Sequence, residues 1–97
     1  MIHAKKIRQK YFEAIADGRK TFEVRRNTTD YKVGDDILLD EVDEAGSNTG
    51  RSCFVRITYI LPFTELAEIY PNKAFSSDLL ILGVRLVCSK NKEKVKQ

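Results

Sequence analysis

The chain has 97 residues, room for one small domain with a single core and too short for two. Hydrophobic residues at 42% and charged residues at 32% are proportions of an ordinary soluble globular protein. No apolar run approaches the roughly 20 residues a membrane span requires. The net charge of +3 is segregated: residues 1–32 carry nine Lys/Arg against four Asp/Glu, and residues 33–50 carry six acids and no Lys/Arg.

In chain order, residues 2–7 read as a short first strand with His3 near its start. The N-terminus lacks the apolar core of a secretory signal, which points to a cytoplasmic protein. Residues 9–17 have helical periodicity, with Phe12, Ile15 and either Tyr11 or Ala16 as the buried stripe. Gly18 is placed to end that helix in a left-handed conformation. Residues 21–26 read as a second strand, 27–31 as a loop, and Val33-Gly34-Asp35 as a turn feeding a third strand over 36–42. The Gly, Ser and Asn of 43–50 suit a hairpin connection. Residues 52–61 form the longest predicted strand, closed by Pro62. A short helix over 64–70 follows, with Thr64 as its N-cap and Leu66, Ile69 and Tyr70 as its inner face. A loop over 72–78 holds Phe75, and the near-continuous apolar run 79–88 reads as a buried fifth strand. The end, 89–97, contains Lys90, Lys92, Lys94 and Lys96 and reads as a basic, flexible tail after a domain of residues 1–88.

Five strands with one helix early and one late predict an α+β domain, a small, mostly antiparallel β-barrel with two short helices. Closure would remove unpaired strand edges. Cys53 and Cys88 each continue the apolar phase of a strand and are expected as buried free thiols. One histidine and two separated cysteines do not make a zinc site, and neither a metal nor a cofactor is expected.

The most informative stretch is Gly18-Arg19-Lys20-Thr21-Phe22-Glu23-Val24-Arg25. Its alternation predicts a strand that hides Phe22 and Val24 and gathers Thr21, Glu23 and Arg25 on the other face, with Lys20 at the strand's start. Such a face is either an exposed sheet surface with cross-strand ion pairs, worth about 0–1 kcal/mol, or a ligand site.

The octet and the order of elements resemble the ASCH domain family, whose signature Gly-x-Lys-x-x-Glu-x-Arg is met by Gly18, Lys20, Glu23 and Arg25. ASCH domains are PUA-like β-barrels. More narrowly, the chain resembles a group of small bacterial and phage-associated proteins of the DUF3850 type. That likeness is carried by His3, Lys6-Ile7, Tyr11-Phe12-Glu13-Ala14, Lys20 to Arg25, Asp30 to Asp35, Thr49-Gly50-Arg51 and Thr58-Tyr59-Ile60. It implies a PUA-like barrel that binds RNA or a nucleotide in a cleft lined by Lys20, Thr21, Glu23 and Arg25, with Tyr31, His3 and Lys6 beside it. Arg25 would fork onto a phosphate or base edge, Lys20 would supply a point charge, and Tyr31 or Tyr11 would stack a base.

Some members of that family are small amidohydrolases acting on acylated cytidine derivatives, and a few are proposed ribonucleases. A ribonuclease here would use Glu23 as base, with Lys20 and Arg25 stabilising phosphate charge. The amidohydrolase pattern fits poorly: Glu23 stands where those enzymes have threonine, and the segment between Pro62 and Pro71 is short. A binding module is therefore the first reading, a small hydrolase in the same cleft the second, and a protein-interaction module using the acidic 33–50 hairpin the third. Oligomeric state is not legible.

Overall fold

The computed structural model describes residues 1–72 and 78–91. The elements are β1 (Ile2–Arg8), α1 (Gln9–Ala16), β2 (Phe22–Arg26), β3 (Asp36–Val42), β4 (Asn48–Pro62), α2 (Phe63–Ile69) and β5 (Leu79–Asn91). All five strands join one sheet in the order β1-β3-β4-β5-β2. The β3–β4, β4–β5 and β2–β5 pairs are antiparallel. The β1–β3 pair is parallel, because α1, β2 and a turn carry the chain back to the same end before β3 begins. The α+β expectation of five mostly antiparallel strands and two short helices holds, with this one mixed pairing. The barrel does not close. It is a half-barrel, with β1 and β2 as its two edges.

The core follows from period-2 rows that share an inward phase. Ile37 and Leu39 of β3 meet Cys53, Val55 and Ile57 of β4 and Leu80, Leu82 and Val84 of β5. Helix α1 caps this concave face with Phe12 and Ile15, as its periodicity predicts. It ends where Gly18 takes φ +84° and donates its N–H to the Ile15 carbonyl. At the turn before β3, Gly34 (φ +96°) donates to the Ile57 carbonyl and so ties the turn to β4. Among the described residues, no helix is long and apolar enough to cross a membrane.

Several local expectations are overturned. Cys53 is buried, and burial pushes its thiol up to about 11, but Cys88 is exposed. A β-bulge makes Phe54 and Val55 face Cys88 and Leu86, so Val87 is the extra residue and the phase of β5 flips beyond it. Helix α2 begins at Phe63 with Pro62 as N-cap and no side-chain cap, so Thr64 does not cap it. No α2 residue is buried, and Ile69 and Tyr70 are exposed. Strand β4 starts at Asn48, inside the predicted connection. Strand β5 continues to Asn91, pairing it with Arg51, where a frayed tail is predicted. The rest of the tail, including Lys92, Lys94 and Lys96, and the loop residue Phe75 lie outside the described residues.

Candidate nucleic-acid interface

The seam between the edge strands β1 and β2 gathers the residues of the octet. A groove of about 490 Å³ runs along it, lined by Lys6, Ile7 and Arg8 of β1, Tyr11 of α1, Lys20, and Phe22 to Arg25 of β2. The turn at Gly18 sets Lys20 beside α1, where its N–H donates to the Ala14 carbonyl.

Strand β2 has the expected alternation with its faces exchanged. Glu23 is 5% exposed and points inward, opposite Leu82, while Phe22 and Val24 are each 48% exposed. The inversion is stable because Glu23 is satisfied on both sides. Lys20 Nζ donates to Oε1 at 2.8 Å, and Arg25 donates to Oε2 from Nε at 2.9 Å and from Nη2 at 2.7 Å. Buried carboxylates are tolerated when paired and hydrogen-bonded in this way. The same Arg25 Nη2 crosses the seam to the Lys6 carbonyl at 3.0 Å, so one guanidinium ties the two edge strands together.

Lys20 lies over two rings, 4.6 Å from the centroid of Phe22 and 5.4 Å from that of Tyr11. Contacts of this kind are worth about 0.5–2 kcal/mol. Lys6 and Arg8 form no ion pair among the described residues. Four cations therefore face the groove against one carboxylate, and that carboxylate is already engaged.

Of the residues expected in the cleft, Lys6, Lys20, Glu23 and Arg25 come together. Thr21 is exposed and off the groove lining, with its carbonyl accepting the Val84 N–H. His3 and Tyr31 are not groove residues. Both are buried near the start of β3, with their rings edge to face at 5.0 Å. Tyr31 joins the hydrophobic core, so it offers no open ring face for stacking. His3 Nε2 is 2.8 Å from Asp35 Oδ2, which also accepts the Lys32 N–H, while Oδ1 accepts from the N-terminal ammonium. The His3 bond, then these two, hold the Asp35 carboxyl below the usual range.

Four further side chains complete the picture. Arg8 and Phe22 line the groove, and a tight ion pair lies under the hairpin. Glu41 is 1% exposed and accepts from Arg51 Nε and Nη2, both at 2.9 Å, and from Thr49 Oγ1 at 2.6 Å. Arg51 also lies over the Phe12 ring and reaches Glu13. Its hydrogen bonds hold the Glu41 carboxyl low. The alternation Ile37, Leu39, Glu41 was the available signal, since it keeps Glu41 in the inward phase.

The half-barrel has the fold of solved ASCH structures. ASCH from Zymomonas mobilis superposes with a TM-score of 0.61 at 17% identity, covering 98% of this chain and 76% of that one. The hypothetical protein PH0355 gives 0.55 at 18% identity, covering 90% of this chain and 100% of that one. At these identities the likeness is one of fold. The family described as "Domain of unknown function (DUF3850)" matches residues 2–84, and the chain belongs to it. An Escherichia phage P2 protein, described as "Uncharacterized 12.9 kDa protein in GpA 3'region", is 35% identical over 69 residues. That match spans 71% of this chain and 62% of the phage protein's length.

Proposed function

We propose that the seam groove binds single-stranded RNA or a nucleotide. The observation that carries this reading is the pairing of uncommitted cations, Lys6 and Arg8, with the partly exposed rings of Tyr11 and Phe22 on one groove. Phosphate recognition needs the first and sequence-tolerant base stacking the second. A groove of about 490 Å³ is of a size to hold a nucleotide. The ASCH-like fold supports the same class of ligand. The reading places the protein in the cytoplasm, where two unpaired thiols stay reduced.

The hydrolytic reading is weaker, because Glu23 is 5% exposed and both of its oxygens already accept hydrogen bonds from Lys20 and Arg25, which leaves little access for a substrate proton. The acidic hairpin is weakened as a docking surface for a basic partner, since three of its six acids, Asp35, Asp36 and Glu41, are tied to His3, Arg56 and Arg51.

The test is fluorescence anisotropy with labelled single-stranded RNA across a salt series, with chelator present. Two phosphate contacts, from the uncommitted Lys6 and Arg8, give a log–log slope of about −1.4, or about 7-fold weaker binding at 200 than at 50 mM salt. Arg8→Ala should weaken binding and flatten the slope by about 0.7. Binding absent at low salt, or insensitive to both salt and Arg8→Ala, sinks the reading.

A further inference from the structure

The convex face of the sheet carries a feature that shares only its β2 edge with the groove. Phe22, Gly83 and Tyr59 lie in one row across β2, β5 and β4. Residues directly opposite in antiparallel pairs share a face. A Cβ built on Gly83 would lie 3.4 Å from Cβ of Tyr59, which fixes that face as the outer one. Phe22 and Tyr59 are 48% and 63% exposed. Gly83 raises no side chain between them, and Thr58 Oγ1, 3.1 Å from that same Cβ, leaves little room for one. Two strand spacings set the backbones of the aromatic residues about 10 Å apart. The result is two exposed aromatic residues on either side of a glycine with the Thr58 hydroxyl beside it, extended by a half-exposed row of Val24, Ile81 and Leu61.

The charges beside this row favour a polyanion. Exposed Arg85 lies two residues along β5 from Gly83, and the Lys20 ammonium lies over Phe22. The nearby acids Asp36 and Asp78 are paired with Arg56 and Arg26. Phe22 also lines the seam groove, so groove and outer row meet at one residue.

We propose that Phe22, Gly83 and Tyr59 form a base-stacking platform for single-stranded RNA that leaves the groove and crosses the β2 edge at Phe22. Each ring carries a base, and the glycine lets both bases approach the sheet. The proposal rests on the groove reading and deepens it: the ligand is a strand of several nucleotides, and a mononucleotide fills only the groove.

Two labelled single-stranded RNAs test it, one of two nucleotides and one of about ten, against the wild type, Tyr59→Ala, Tyr59→Phe and Arg8→Ala. Tyr59 is mostly exposed, so its replacement leaves the fold intact. Tyr59→Ala should weaken the longer RNA by ~5- to 150-fold, the factor of one base–aromatic stack. It should leave the shorter one unchanged, and Tyr59→Phe should retain the binding of both. If Tyr59→Ala changes neither RNA while Arg8→Ala weakens both, the platform falls and the groove reading stands. If neither RNA binds the wild type, the groove reading falls and takes the platform with it. If light scattering shows a dimer that Tyr59→Ala converts to monomer, the face belongs to a second copy of the chain and the platform is overturned.

Discussion

Glu23→Gln separates a structural clamp from a base-reading carboxylate at the centre of the seam. The substitution keeps the shape of the side chain and removes its charge, leaving Lys20 and Arg25 without a counterion. Removing one member of a buried ion pair costs about 3–5 kcal/mol. Lys20 and Arg25 keep 17% and 20% of their side chains in water, so a loss of about 2–3 kcal/mol is expected here. For a domain of this length that lowers Tm by about 8–24 °C, read by circular dichroism. RNA affinity at low salt should hold or rise, because the groove loses its one carboxylate, and the log–log salt slope should steepen by about 0.7. An unchanged Tm would refute the clamp. A destabilised variant that also binds RNA more weakly at low salt would mean that Glu23 reads the base itself.

Arg51→Ala strands the buried Glu41 carboxylate and should cost about 3 kcal/mol, seen as a lower urea midpoint at pH 7. Glu41 has a native pKa held below its unfolded value by Arg51, so its contribution is present above about pH 4.3 and is lost as pH falls through the native value. The gap between wild type and Arg51→Ala should therefore narrow at pH 3, and a constant gap would contradict the pairing. With a disulfide-exchange reagent, one thiol, that of the exposed Cys88, should react in the native state, and the second, that of Cys53, only on unfolding. No fast thiol would mean the β5 bulge is not as described, and two would mean that Cys53 is not buried.

Much of the fold was legible because the core strands obey one rule. The rows Ile37 and Leu39, Cys53 to Ile57, and Leu80 to Val84 keep period 2 and face inward, and Phe12 and Ile15 keep the helical period. What failed was the sign of a phase. Alternation in β2 groups Glu23 with Arg25 and Phe22 with Val24, but it does not say which group faces in. The apolar pair was assigned inside by default. The sheet reverses this because Lys20, Arg25 and Glu23 satisfy one another across three residues of sequence. Cys88 failed for a different reason, a one-residue bulge that no local pattern announces. Tyr31 looked like a loop residue, and only the parallel β1–β3 pairing brings His3 to cover it. In the site, Lys20, Glu23 and Arg25 were legible from the motif and Lys6 from the wider family likeness, whereas Arg8 and Phe22 required knowing that the sheet stays open.

The open sheet also imposes a demand unrelated to any ligand. A strand whose ladder is unfilled invites another chain to add itself, and repetition of that step makes fibrils; charged flanks discourage it. Here Lys6, Arg8 and Arg25 stand along the two exposed ladders. Neutralising them together would remove a guard against self-templating, so solubility constrains these positions independently of what they bind.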